Sequence, residues 1–576
     1  MSAFNLNKKF ITNVITYSSC LYASYPLFCL MILPTHSYKT NNNMFTVFAV
    51  ILAGLMVVIT GVVPGNVIAS TDNTTAATEP YTSNMLAANG PLPGNLSLYA
   101  EEVECSKALN ASGYYSSLNG AEVANAQRSE LYPCAHFAGS FTNASQNVVY
   151  AWRSQEEYPA ISFLNNREPG ELYIVGGDNP NLTGPVEPGP YVAKADATTG
   201  AQIWRTYLDN ANTNNDWIAT NNLNILPDGN ILFAFARQVV LLDGDTGLIL
   251  KHNNLPSAPA GVDGSFKHVT MAPDGTAIIK DQTRPGPGCT YQGTSAIFVC
   301  KGIQPNSTIN AVDPNSTQIL DSIVMPDTST TPHTITMYDG KIAIYISGDK
   351  ALYRYFWDPQ TEKLSQDTSW VISDYLQPGQ TTGDAPGILG DFIVVQTNGL
   401  ISNVSSSVVS VSQSDPTNIH SVTPFGPLEP GQQSWAPPKS AIDDENNFVI
   451  SADALVNGLA GIKMDPSTGN MTVEWTADDA TSGFQTMIGP RDQRVLVVSN
   501  MNPNATFPQG NYTEQVTWRN MLTGDILAQS DFTEAMSPGS LITPGYGGRV
   551  YFMTNNDFIV YYVTTHETSV SGGENN

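Results

Sequence analysis

Over most of the chain, apolar and polar residues alternate in short runs, and each run stops at Gly, Asp, Asn or Pro. Period-two alternation between turn residues predicts half-buried strands rather than helices. Two kinds of corner recur. The first joins two apolar runs through an Asp-Gly-type turn. It appears as "LNILPDGNILFAF" from Leu223, "VTMAPDGTAIIKD" from Val269, "ITMYDGKIAIYI" from Ile335 and "GILGDFIVVQT" from Gly387. "AIDDENNFVIS" from Ala441, "MIGPRDQRVLVVS" from Met487 and "LITPGYGGRVYFMT" from Leu541 continue the series, and a looser copy, "AISFLNNREPGELYIVGG", starts at Ala160. Such turns between alternating runs are the strongest short-range hairpin signal. The second corner is Asp or Asn followed by turn residues, often ending in Thr-Gly. It occurs as "KADATTGAQIW" from Lys194, "LLDGDTGLIL" from Leu241, "AVDPNSTQIL" from Ala311 and "FWDPQTEKL" from Phe356. "SVSQSDPTNI" from Ser410, "KMDPSTGNMTVEW" from Lys463 and "WRNMLTGDIL" from Trp518 complete the set.

The two corners together define a unit of four strands. The corner aspartates Asp196, Asp243, Asp313, Asp358, Asp415 and Asp465 are 47, 70, 45, 57 and 50 residues apart. Four-stranded units at this period predict an all-β, eight-bladed β-propeller over residues 146–565. The eighth unit lacks a fourth strand, because only a polar tail, residues 566–576, follows "RVYFMTNNDFIVYYVTTH". Upstream of the first unit, "NVVYAWRSQ" at 147–155 reads as a spare strand. The expected closure pairs Val148 to Arg153 with Phe558 to Val563, which removes an open sheet edge.

At this point the residues resemble a known family. Ala195, Asp196, Thr199, Gly200 and Trp204 form Ala-x-Asp-x-x-Thr-Gly-x-x-x-Trp, which is similar to the pyrroloquinoline-quinone-type repeat. The copies at Asp243, at Asp465 and at Leu522, Thr523 and Gly524 are partial matches. The resemblance, to the quinoprotein alcohol dehydrogenase-like superfamily, spans residues 147–565. It implies eight blades and a structural corner in which the Trp of one blade packs on the next blade's turn. Enzymes of that family hold a quinone and a calcium ion between a Trp floor and a vicinal disulfide, with a catalytic Asp. This chain contains no adjacent cysteine pair. The family also includes non-catalytic propellers, such as an outer-membrane assembly lipoprotein, and the resemblance here implies a member of that kind.

Charge and targeting signals narrow the setting. The 576 residues carry 25 Lys+Arg against 51 Asp+Glu, a net charge of -26, which disfavours nucleic acid as a partner. Residues 44–63, "MFTVFAVILAGLMVVITGVV", are uncharged and apolar, and Val67-Ile68-Ala69 suits signal-peptidase cleavage after Ala69. The run is also long enough for an uncleaved anchor, so residues 1–69 are read as a leader of either kind. Residues 1–43 are either an over-extended start before Met44 or part of a two-segment anchor. Export is supported by Asn-x-Ser/Thr sequons at Asn73, Asn95, Asn110, Asn143, Asn181, Asn306, Asn315, Asn403, Asn470, Asn504 and Asn511. Beyond the leader, which holds Cys20 and Cys29, four cysteines remain. Least loop entropy predicts the disulfides Cys105–Cys134 and Cys289–Cys300. Residues 70–145 form a sequon-bearing extension that wraps its own propeller, docks on a neighbour in self-assembly, or is a disordered stalk.

Candidate site residues come from register. His268 and His333 each stand six residues before a turn Asp, Asp274 and Asp339, and Asn222 and Thr486 precede Asp228 and Asp492 by the same count. Asp384, Lys439 and Gln485 fall at or beside that ring. Trp217 and Trp435 lie on loops leading into it. A polar mouth of the central channel is therefore the expected ligand position, for a metal, an anion or a sugar. No GxSxG elbow, P-loop or HExxH is present. The leading expectation is an exported, N-glycosylated binding or structural propeller at the cell surface or in the extracellular space, with no cofactor. The alternative is a propeller enzyme of the quinone-dependent oxidoreductase or hydrolase type, with quinone and calcium at the mouth.

Overall fold

The computed structural model describes residues 82–85, 91–109, 113–177, 189–208, 223–256, 262–285, 289–291, 298–300, 306–329, 331–399, 403–434, 439–481, 483, 485–502, 512–536 and 541–565. Of these, 82–85, 262–265, 267, 282–285, 289–291 and 298–300 are described by backbone alone. The chain divides at Thr74/Thr75, and all described residues lie in the second unit. The leader and the tail lie outside the described residues.

Eight antiparallel sheets follow in chain order, each built as the two corners dictate. Blade 1 is Phe163–Asn165, Glu171–Gly176, Tyr191–Asp196 and Gln202–Tyr207. In blades 2 to 7 the innermost strands are Leu223–Ile225, Val262–Met271, His333–Tyr338, Gly387–Leu389, Ala441–Asp443 and Thr486–Ile488. Blade 5 adds a second inner piece, Gln380–Thr382, on the same neighbour. Blade 3 inserts a hairpin whose backbone sets Cys289 opposite Cys300. The side chains of this second cysteine pair lie outside the described residues.

Blade 8 has three strands of its own, Thr543–Gly545, Arg549–Met553 and Phe558–Thr565. Its fourth is Asn147–Arg153, paired antiparallel from Asn147 opposite Thr565 to Arg153 opposite Ile559. The closure read from the sequence is thus formed, and Thr82–Met85 adds a parallel strand outside it. Alternate residues of neighbouring blades interdigitate. Phe163, Tyr173 and Ile174 of blade 1 share one core with Ile225 and Phe233 of blade 2 and Tyr551 and Phe558 of blade 8.

The Asp corners are Asx turns. The Asp196 carboxylate accepts the backbone N–H groups of Thr198 (2.7 Å) and Thr199 (2.8 Å), and Asp243 and Asn520 repeat the motif. The Gly that follows reverses the chain at positive φ, 72° at Gly247 and 77° at Gly524. Its missing side chain also makes room for a tryptophan. A Cβ on Gly247 would stand 2.5 Å from the ring of Trp204 of the preceding blade, and one on Gly524 2.7 Å from Trp475. Trp475 donates its indole N–H to the Met521 carbonyl (3.0 Å). The Thr-Gly-Trp pattern therefore locks one blade to the next.

One helix departs from the all-strand reading: α1, Tyr99–Leu109. Asn95 caps the short turn before it through the Ser97 N–H (3.0 Å), and Glu101 and Glu102 occupy its first turn, where the helix dipole favours acids. Glu102 is buried and accepts the Gly547 N–H of blade 8 (2.6 Å). The disulfide Cys105–Cys134 joins α1 to the segment after it, as the sequence predicts. Among the described residues no helix is long and apolar enough to cross a membrane.

Candidate functional site

The innermost strand of each blade presents one edge of backbone N–H and C=O groups to the central channel. Residues 113–135, between α1 and the closing strand, satisfy many of these groups. The Tyr115 N–H donates to the Ile225 carbonyl, and the Ile225 N–H donates to that of Gly120. The N–H groups of Asn166, Ile335, Ile442 and Met487 donate to the carbonyls of Asn119, Ala126, Ser129 and Glu130, each at 2.9 Å. The Tyr114 hydroxyl accepts from the Met271 N–H (2.9 Å), and that of Tyr546 accepts from Leu118 (3.1 Å). Leu131–Tyr132 then pairs in parallel with the innermost strand of blade 7. The segment thus bonds to blades 1, 2, 3, 4, 6, 7 and 8. It runs around the channel as an internal plug, held at its end by Cys134.

The plug brings its own charges inside. Arg128 and Glu122 form an ion pair at 2.8 Å with both side chains buried. Burial alone would push the Glu122 carboxyl up, but Arg128 and a hydrogen bond from His268 hold it well below the usual carboxylate range. His268 Nδ1 stands 4.0 Å from Glu122 Oε2. Further along, Glu130 lies 3.5 Å from Lys439 Nζ, with neither side chain exposed. Burial raises the Glu130 carboxyl to about 8 despite Lys439, and burial likewise lowers the Lys439 ammonium. The Gln485 amide, turned to satisfy its neighbours, donates to Glu130 Oε2 (3.2 Å) and to the Lys439 carbonyl (3.0 Å).

The register argument therefore gathers His268, His333, Asp384, Lys439 and Gln485 in one place. They surround the chain's own Glu122, Arg128 and Glu130. Asp384 is partly exposed and acts electrostatically on Arg128, Glu130 and Lys439. His268 and His333 are not open mouth residues as expected: they are 3 % and 0 % exposed. The reason is physical. The plug brings backbone and counter-charges into the space where the sequence reading allowed only solvent. Asn222, Trp217 and Trp435 lie outside the described residues. Sequence reasoning missed Glu122, Arg128 and Glu130, although "GAEVANAQRSELYPC", with three charges just before a cysteine predicted to be bonded, carried a signal.

Of the sequon asparagines, Asn143, Asn306, Asn315, Asn403 and Asn470 are exposed and Asn95 is half-buried. Asn73, Asn110, Asn181, Asn504 and Asn511 lie outside the described residues. Among the described residues no three His, Cys, Asp or Glu side chains cluster as a metal site would require.

These observations define an eight-bladed β-propeller with its own N-terminal segment seated in the channel. The fold is the one that the pyrroloquinoline-quinone-type repeat implies. No protein-family model and no curated protein matches the chain. Solved structures resemble it. The quinohemoprotein alcohol dehydrogenase from Comamonas testosteroni is 10 % identical over 83 % of this chain and 84 % of that one, with a TM-score of 0.47. BamB from Moraxella catarrhalis is 13 % identical over 72 % and 98 %, at 0.39. The WD40 domain of SCAP from fission yeast is 8 % identical over 73 % and 99 %, at 0.38. At these identities the likeness concerns the fold alone.

Proposed function

We propose that this chain is an exported, N-glycosylated propeller that acts by binding or assembly outside the cell, without a redox cofactor. The observation that carries this reading is the plug. Residues 113–135 take up the channel edge of five blades by peptide bonding and reach two more through tyrosine hydroxyls, and the charges inside are paired largely with one another. A quinone with calcium does not fit this arrangement. The plug lines the inner edges of the blades, the sequence lacks the vicinal cysteines, and the described residues offer no cluster for the ion. Export is supported by the apolar run at 44–63, and glycosylation by five sequon asparagines standing exposed among the described residues.

The test has two parts. The full chain is produced in a glycosylating secretory host, and glycopeptides are mapped by mass spectrometry before and after enzymatic glycan release. Glycans are expected at Asn143, Asn306, Asn315, Asn403 and Asn470, and a secreted but unmodified chain would sink the glycoprotein reading. The purified protein is also incubated with pyrroloquinoline quinone, calcium and a dye acceptor over a series of alcohols. Turnover above the protein-free background would replace this proposal with the oxidoreductase.

A further inference from the structure

Arg128 carries an inference about what else the channel holds. Its backbone lies in the left-handed region at φ 55°, and Val123, Ala124 and Glu130 do the same at 49°, 78° and 61°. None is glycine, and a β-branched residue such as Val123 is seldom found there. Strain of this kind persists only where surrounding contacts enforce it, and it gathers at binding sites and switches. Here it carries the Arg128 guanidinium into the channel, where only 1 % of the residue is exposed. Nη1 donates to Glu122 (2.8 Å), whereas Nε and Nη2 are buried without a hydrogen-bond partner. Those two N–H groups lie along one edge of the planar group. That edge is the fork that takes both oxygens of a carboxylate.

His333 adds a second, independent signal. It is fully buried, and neither ring nitrogen makes a hydrogen bond of ordinary geometry. Burial first, then the cations Arg128 and Lys280, push its pKa down to about 3, with Glu122 and the Ile278 backbone opposing. The ring is neutral, its N–H held at most weakly by the Ile278 backbone and its acceptor nitrogen unused. Arg128 and Lys280 outweigh Glu122 in the field at its position, which favours a negative ligand. Lys280 is itself committed to the carbonyls of Asp281 (2.6 Å) and Ser329 (2.7 Å), so the fully unused donors are those of Arg128.

We propose that the channel beside the plug binds one small carboxylate, of formate or acetate size, chelated by Nε and Nη2 of Arg128 and touching the His333 ring. The parallel donors select a planar two-oxygen anion over a halide. The burial of both residues excludes anything bulky. The site stands independently of export and glycosylation.

The test uses the full chain exchanged into a carboxylate-free chloride buffer. Thermal unfolding is followed against sodium acetate, with sodium bromide and sodium benzoate as matched arms. Acetate is expected to raise the Tm with saturation, and bromide and benzoate to leave it unchanged. Arg128→Lys keeps the charge but loses the fork, and should weaken the acetate response at least about tenfold. His333→Leu should weaken it while sparing the fold. Crystals of the wild-type chain soaked in acetate supply a reading that needs no variant. Planar density bonded to both Nε and Nη2 supports the site. Waters on both nitrogens in acetate-soaked crystals, or an equal response to bromide, overturn it.

Discussion

Glu130 sits buried between Lys439 and Gln485, and burial pushes its carboxyl up to about 8 from the ordinary 4.5. Between those two values the folded chain keeps a proton that the unfolded chain has lost. The stability this group contributes is therefore complete below about 4.5 and is lost as pH rises through about 8. Lys439 shifts downward by burial and works in the opposite sense, so the difference between wild type and Glu130→Gln isolates the carboxyl. Urea unfolding should show the wild type losing stability relative to that variant from pH 5 to pH 8. A difference independent of pH would mean that Glu130 is ionised in the folded state. Glu122 behaves the other way. Held low by Arg128 and His268 against its burial, it stabilises above the ordinary carboxylate range and fails as pH drops below about 4. Glu122→Gln strands a buried guanidinium and should cost about 3–5 kcal/mol at pH 7. A loss under about 1 kcal/mol would show that the pair is solvated. At this scale the positions of His268, His333, Lys439 and Gln485 were legible, because register counted from repeated turns locates them. Their partners were not, because Glu122, Arg128 and Glu130 belong to a stretch with no repeat to count from.

Corners and inserts differ in how they are encoded. An Asp-x-x-Thr-Gly corner is written in local chemistry: a carboxylate that caps two N–H groups and a glycine that takes positive φ. Such a turn forms wherever its residues occur, so the hairpins and blade order could be read directly. The plug and α1 are encoded at long range. The buried faces of 113–135 meet seven blades, and α1 buries the polar Glu102 and Ser106 rather than an apolar stripe. No periodicity announces either element. Two substitutions probe the two kinds. Gly247→Ala places a methyl 2.5 Å from the Trp204 ring at φ 72°, which combines backbone strain with overpacking. The expected loss is about 2–4 kcal/mol by denaturant unfolding. Gly275, at φ 90° with open space around it, should lose only the smaller backbone part when changed to Ala. Equal losses at the two sites would remove the Trp lock from the account. For the insert, Cys105→Ser with Cys134→Ser opens the loop that closes the plug. It should cost about 2–5 kcal/mol. Proteolysis should then cut first within 113–135 while the outer blades stay protected.

Ring closure decides whether the molecule exists as a propeller at all. Blade 8 owns three strands, and among the described residues its outer strand, Phe558–Thr565, is paired on its outer edge by Asn147–Arg153. Val149 and Ala151 of that strand share a core with Val550, Phe552, Tyr561 and Val563. Deleting residues 1–155 therefore bares both an unpaired edge and an apolar face, and the product should aggregate. The register offers a way to separate closure from plugging. Asn147 stands opposite Thr565, so a two-residue Asn-Gly turn can join the end of the last strand to the start of the closing one. A permuted chain running 156–565, turn, 147–155 restores the eighth blade but has no plug. It should be soluble and strand-rich by circular dichroism, yet melt well below the full chain. Lys439, His268 and the channel edges of the innermost strands would then have lost their internal partners. Restoring 113–135 by disulfide-independent co-expression should recover part of the melting temperature. A soluble, monomeric product from the plain deletion would refute strand closure. A permuted chain as stable as the full one would reduce the plug to a passenger, and the paired charges it brings into the channel would need another explanation.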